Sequence, residues 1–185
     1  MKNKVISETD RKMDKAVQAF ERDLAHVRTG RASAALLEGI TVDYYGTQMP
    51  INQVASISVP ESRLLTVQPW DANVLPDIEK AILSSDLGLT PSNDGKIIRV
   101  SIPPLTEERR KDLVKIVKKM AEESRVAVRN CRRDAIDKLK GQKKNKEISE
   151  DEMYKLQDEI QKLTDDHIKT IDQILQEKEK EIMEF

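Results

Sequence analysis

Residues 106–146 read TEERRKDLVKIVKKMAEESRVAVRNCRRDAIDKLKGQKKNK, and the reading of this run decides the fold. It contains no proline, and its single glycine, Gly141, lies near the far end. A helix of about 40 residues is roughly 60 Å long, far beyond the mean helix of a globular domain. Wound at about 100° per residue, its side chains separate into sectors. Leu113, Val117, Met120, Ser124, Val128, Cys131, Ala135 and Leu139 form a largely apolar stripe. Arg110, Lys111, Lys118, Arg125, Arg129, Arg132, Arg133, Lys140 and Lys143 form a broad basic stripe beside it. Asp112, Glu123, Asp134 and Asp137 take most of what is left. From Arg109 to Lys146 there are 15 Lys or Arg against 5 Asp or Glu, a net of +10. One helix therefore has a side for burial and a side for a polyanion.

The rest of the chain does not share that charge. Met1–Gly30 carries +2, Arg31–Glu108 carries −5 and Glu147–Phe185 carries −8, so the overall −1 hides one concentrated basic element. At 185 residues there is room for one domain or two small ones. With 35% charged residues and 3% aromatics, the composition points to helices with wide solvated faces. One cysteine excludes an internal disulfide and fits a reducing compartment. The opening MKNKVISETD lacks an apolar run of signal-peptide length, and no stretch approaches the ~20 apolar residues of a membrane span. A soluble, cytoplasmic protein with no membrane partner is expected.

Two further helices flank the rest of the chain. From about Lys4 to Thr29, Ile6, Met13, Val17, Phe20, Leu24 and Val27 form a heptad-like seam, with Gly30 as the expected stop. After a polar corner at 141–148, Ser149-Glu150-Asp151-Glu152 reads as a capping box opening a last helix. Its seam is Met153, Leu156, Ile160, Leu163, His167, Ile171, Ile174 and Ile182. Single amphipathic helices are not stable alone in water, and a three-helix bundle over 1–29 and 106–185 buries all three stripes.

Between them, residues 31–104 change character. All seven prolines and four of the six glycines lie here, among short alternating runs. Strands are expected at Ile40–Tyr44, Ser56–Val59, Leu64–Gln68 and Ile97–Ile102. A helix is expected over Val74–Leu83, with Asp71 or Asn73 as its cap. This is a small inserted α+β unit, so the fold class is α+β in two domains. Its joints fall near 29–33, at Thr29-Gly30-Arg31-Ala32-Ser33, and near 103–105, at Pro103-Pro104-Leu105. Gly30 gives freedom on one side and the Pro-Pro pair stiffens the other.

No catalytic constellation is present: there is no glycine-rich phosphate loop and no G-x-S-x-G. Cys131 lies in the apolar stripe and reads as core filler. His26 and His167 lack the companions of a zinc site, and His167 reads as a satisfied histidine of the third seam; no metal and no cofactor are expected. The basic stripe is the feature that asks for a ligand. Arg125, Arg129, Arg132 and Arg133 fall on adjoining turns of one side, and arginine suits bidentate phosphate contact. Such a straight face without aromatic residues suits structured RNA read by shape and backbone. No helix-turn-helix or finger pattern points to DNA, and no DNA partner is expected.

Several segments resemble one family closely, and the likeness covers nearly the whole chain. They are Arg28-Thr-Gly-Arg-Ala-Ser33, Val42-Asp-Tyr-Tyr-Gly46, Lys80–Leu89 with Arg99, the PPLTEERRK run from Pro103 to Lys111, and Arg125–Asp134. Together they resemble the bacterial ribosome recycling factors. The resemblance implies a three-helix bundle bearing a small α/β domain, in an L shape like that of a transfer RNA. It implies a monomer that is not an enzyme and that binds post-termination ribosomes, with the bundle along large-subunit ribosomal RNA. With elongation factor G, which hydrolyses GTP, such a factor promotes dissociation into subunits and release of messenger and deacylated transfer RNA. Arg110, Arg129 and Arg132 occupy positions that the family uses on ribosomal RNA, with Arg132 foremost; Arg125, Arg133 and Lys118 join them from the stripe. Arg28, Thr29, Gly30, Arg31, Pro103 and Pro104 are implied to set the angle of the small domain. The competing reading is a coiled-coil-like adaptor or chaperone whose α+β insert is the partner-binding head. A third, an enzyme housed in the insert, has no residues to support it.

Overall fold

In chain order the elements are helix α1 (Lys4–Ala25), strands β1 (Thr41–Tyr44) and β2 (Thr47–Pro50), the one-turn helix α2 (Ile51–Val54), strands β3 (Ala55–Glu61) and β4 (Leu64–Pro69), helix α3 (Leu75–Leu83), strands β5 (Pro91–Asn93) and β6 (Ile98–Ser101), and the long helices α4 (Glu107–Lys144) and α5 (Glu150–Glu184). Short 3-10 turns add Ala34–Leu37 and Ala72–Val74. The structure, a computed structural model, describes residues 3–184. Contacts divide the chain into two units: the chain up to Leu24 with Lys111–Lys180, and Ala25–Arg110 with the chain from Glu181.

The first unit is a bundle of three long helices. Val5 and Ile6 of α1, Ala135 and Leu139 of α4, and Met153, Leu156 and Ile160 of α5 form one cluster. The start of α1, the end of α4 and the start of α5 therefore meet, so α1 and α5 run parallel and α4 runs against both. Each fully buried Leu or Ile here contributes about 1.5–3 kcal/mol. Thr9 and Thr164 are buried in the seams; each satisfies its hydroxyl on the carbonyl one turn back, Val5 at 2.7 Å and Ile160 at 2.8 Å. On α4 the buried line is Leu113, Val117, Ala121, Ser124, Val128, Ala135 and Leu139. Met120 and Cys131, expected in that line, are only half-buried. After Val117 the line takes a second step of four to Ala121, whose small side chain allows close approach.

Local chemistry sets most helix ends. Thr106 caps α4 through a bond from Arg109 N to its Oγ1 at 3.1 Å, and Ser149 caps α5 through Glu152 N to Oγ at 3.1 Å. The far end of α4 differs from the expected corner at Gly141, which lies inside the helix. Lys146 N bonds Lys143 O and Glu147 N bonds Gln142 O, both at 2.9 Å, with Lys146 at φ 62°. This is a Schellman ending that uses Lys where Gly is usual. α1 also stops early, at Ala25 rather than Thr29. Beyond it the chain bonds tertiary partners instead: Arg28 Nη1 to Leu87 O at 3.4 Å and Thr29 Oγ1 to Glu181 Oε1 at 3.0 Å. These contacts override the seam, and Val27 is left half-buried.

The second unit holds a four-stranded antiparallel sheet in the order β3-β4-β6-β5, and a separate β1-β2 hairpin. Leu65 faces Val100 and Val67 faces Ile98 across the two central strands, all four fully buried. Leu75, Ile78 and Ile82 of α3 join the same core. Pro60 lies on edge strand β3 where its pairing register shifts between Ser58 and Glu61, and Pro91 opens edge strand β5; proline is tolerated at such places because it lacks the ladder N–H. The hairpin turn is Tyr45-Gly46, both at positive φ (50° and 85°), with Gly46 N bonded to Asp43 Oδ1 at 2.8 Å. Such a turn matches the twist of its strands. Strands β2 and β5 and helix α2 were not expected. Asp71 caps the 3-10 turn that feeds α3, accepting from Asn73 N at 2.9 Å, and Asn73 is not a cap.

Candidate nucleic-acid interface

Four of the expected basic residues of α4, Lys118, Arg125, Arg132 and Lys143, meet side chains of α5. Lys118, Arg125 and Arg132 are seven residues apart, as are Asp165, Asp172 and Glu179 on α5. This is the flanking-charge pattern of packed helices. Lys118 Nζ lies 3.7 Å from Glu179 Oε1. Arg125 sends Nε (2.9 Å) and Nη2 (2.6 Å) to Asp172 Oδ1, and Nη1 to Glu122 Oε2 at 3.0 Å. Lys143 Nζ meets Glu150 Oε1 at 3.0 Å. Exposed pairs of this kind contribute about 0–1 kcal/mol each.

Three arginines are held differently. Arg129 Nη1 donates to Glu122 Oε1 at 3.0 Å. Arg132 Nη1 donates to Gln161 Oε1 at 2.9 Å, and Gln161 Nε2 donates on to Asp165 Oδ1 at 2.9 Å. A neutral amide thus orients Arg132 without cancelling its charge. Arg132 is half-buried, and its Nε has no hydrogen-bond partner among the described residues. Arg133 is exposed, with no carboxylate in ion-pairing distance among the described residues. The two arginines on Glu122, Arg125 first and Arg129 second, hold its carboxyl below the usual range.

Arg110, also expected on this face, groups with the other unit, where its Nη1 donates to Met183 O at 2.7 Å. The sequence reading missed Glu122, Gln161 and Asp172; the spacing of seven shared by both helices is the signal that could have found Asp172.

The residues expected at the joints group with the second unit. Thr29 and Gly30 are buried, Arg28 is half-buried with Nε unpartnered, and Arg31, Pro103 and Pro104 are exposed. Ala32 N donates to Ser62 O at 2.6 Å and Ile102 N donates to Arg63 O at 2.8 Å. The incoming and outgoing chains are thus tied to consecutive carbonyls of the β3–β4 turn.

Among the described residues, one group could offer several metal ligands: Asp10, Asp14 and His167. Its geometry is that of an interhelical hydrogen-bonded clamp. His167 Nε2 lies 2.8 Å from Asp14 Oδ1 and 3.5 Å from Asp10 Oδ1, while Nδ1 lies 2.7 Å from Leu163 O. Burial disfavours the imidazolium, but the Leu163 carbonyl and the two carboxylates outweigh it and raise the pKa. Burial raises the Cys131 thiol, the opposite of activation. No helix of the described residues is long and apolar enough to cross a membrane.

Comparison with known proteins agrees with this architecture. A family model described as "Ribosome recycling factor" matches residues 20–183. The ribosome-recycling factor of Geobacillus kaustophilus (strain HTA426) is 64% identical over 184 residues, covering 100% of both chains. That of Desulfatibacillum aliphaticivorans is 61% identical over 181 residues, covering 98% of each. A solution structure of a ribosome recycling factor superposes with a TM-score of 0.77 at 46% identity, covering 98% of this chain and 96% of that one. A second, from models of the T. thermophilus ribosome recycling factor and E. coli elongation factor G bound to the E. coli post-termination complex, gives a TM-score of 0.68 at 52% identity, covering 96% of each chain. With three long helices, a small β-sheet unit and identity along its whole length, this chain belongs to the ribosome recycling factor family, whose members are non-enzymatic translation factors.

Proposed function

We propose that this chain binds post-termination ribosomes as a monomer, with the flank of α4 bearing Arg125, Arg129, Arg132, Arg133 and Lys118 laid on large-subunit ribosomal RNA. Arg110 adds a contact nearer the start of the helix. Elongation factor G, hydrolysing GTP, then drives dissociation into subunits and release of messenger and deacylated transfer RNA. The inserted segment 31–104 turns about its joints at 29–33 and 103–105, where Arg28, Thr29, Gly30, Arg31, Pro103 and Pro104 set its angle. The cell compartment is the cytoplasm.

The observation that carries this reading is Arg132: a cation oriented by a neutral amide, within a stretch, 109–146, of net +10, in a chain of this family. A structure 52% identical to this chain is of a factor bound with elongation factor G to a post-termination complex. Contacts from several such cations make affinity for RNA depend steeply on salt. Light scattering of ribosomes with elongation factor G and GTP tests the whole. The chain should accelerate splitting, and Arg132→Gln should lose both that effect and tight binding. A folded Arg132→Gln protein that binds and splits like the parent would remove the anchoring claim.

A further inference from the structure

Glu122 is an anomaly on the basic flank, an exposed carboxylate set between two arginines. Its two oxygens are divided, Oε2 taking Arg125 Nη1 and Oε1 taking Arg129 Nη1, each at 3.0 Å. The two arginines differ in what else holds them. Arg125 is four-fifths buried and keeps a two-point contact with Asp172, so it stays on α5 whatever Glu122 does. Arg129 is about 41% exposed and is held by Glu122, with no contact to α5 among the described residues. A guanidinium with one N–H on a carboxylate oxygen still has its other donors for a phosphate. The carboxylate oxygen occupies the kind of position that a phosphate oxygen takes on arginine.

We infer that Glu122 is an internal stand-in for an RNA phosphate, holding Arg129 in place in the free protein and yielding it when RNA arrives. This rests on the reading of the α4 flank as the RNA-binding face. The exchange keeps charge balanced: Arg129 passes from carboxylate to phosphate, while Glu122 remains on Arg125, which Asp172 fixes. Glu122 then lowers affinity for any polyanion that cannot displace it, and Arg125 acts as a positioning residue.

The test is a double-mutant cycle read by filter binding to purified large ribosomal subunits at low ionic strength, about 0.05 M, where charge effects reach beyond 10 Å. Glu122→Gln should tighten binding about threefold, the scale of one unit charge seen through water at several ångströms. The gain should shrink at high salt and vanish in an Arg129→Ala background. Unchanged or weaker binding by a folded Glu122→Gln protein, or a gain that survives without Arg129, overturns the inference while leaving the RNA-binding face intact. If the parent protein instead shows salt-insensitive binding that Arg132→Gln does not weaken, the face itself is wrong and this inference falls with it.

Discussion

Arg132 Nη1 donates to Gln161 Oε1 at 2.9 Å across the flank where α4 meets α5, while one heptad earlier Arg125 meets the carboxylate of Asp172 at 2.6 Å. The same basic flank thus contains an ion-paired arginine and one without a carboxylate partner, according to what α5 places opposite. Gln161→Glu would convert the second case into the first. Binding to large subunits should weaken about 3- to 10-fold at low salt, the scale of losing one phosphate contact. Stability should change by less than about 1 kcal/mol. Titrating binding against salt and melting the variant separate the two effects; unaltered affinity would show that the Arg132 charge is not used.

His167 joins α5 to α1 through Asp14, and its pKa is raised. A group whose folded pKa lies above its unfolded value of about 6.5 contributes stability that is fully present below that pH. The contribution is lost as pH rises through the folded value. Denaturant unfolding of the parent should therefore show a decline in stability as pH rises from about 6.5 that His167→Ala lacks. The variant should also be about 1 kcal/mol less stable in mild acid through its lost hydrogen bonds. A parallel pH profile in both proteins would count against the clamp.

Lys146, just past the end of α4, sits at φ 62°, a conformation that costs a residue with a Cβ roughly 1–2 kcal/mol. Lys146→Gly relieves it at some entropic cost in the unfolded chain. A net gain of about 0.5–1 kcal/mol in unfolding free energy is expected, with RNA binding little altered. A loss of stability would mean that the Lys146 side chain contributes more than its backbone costs.

Gly30 is buried beside Thr29, whose hydroxyl donates to Glu181. Gly30→Pro fixes one backbone angle, removes an N–H and restricts Thr29. Under the proposed function it should slow ribosome splitting more than it weakens ribosome binding. Equal losses in a scattering assay and a binding assay would set aside the joint as a functional element.

Much of the architecture is written locally. The apolar period of three long helices, the caps at Thr106 and Ser149, and the density of proline and glycine over 31–104 are near-neighbour features, and near-neighbour physics sets amphipathic helices and their starts. Where local signal was weak the structure departed. β2 and β5 are short, mostly exposed strands with no alternation to read, and Pro91 argues against a strand until its edge position is known. α1 stops at Ala25 because partners far along the chain, Leu87 and Glu181, claim the residues after it.

By itself the sequence determined that one helix would carry a seam and a cationic flank, since 3.6-residue winding sorts side chains without help from elsewhere. Only the tertiary structure decided which of those cations are paired with a carboxylate. Arg125 and Asp172 are 47 residues apart, and Arg132 and Gln161 are 29 apart. Whether an arginine meets a carboxylate or an amide depends on the register of α5 against α4, and packing of the two seams sets that register.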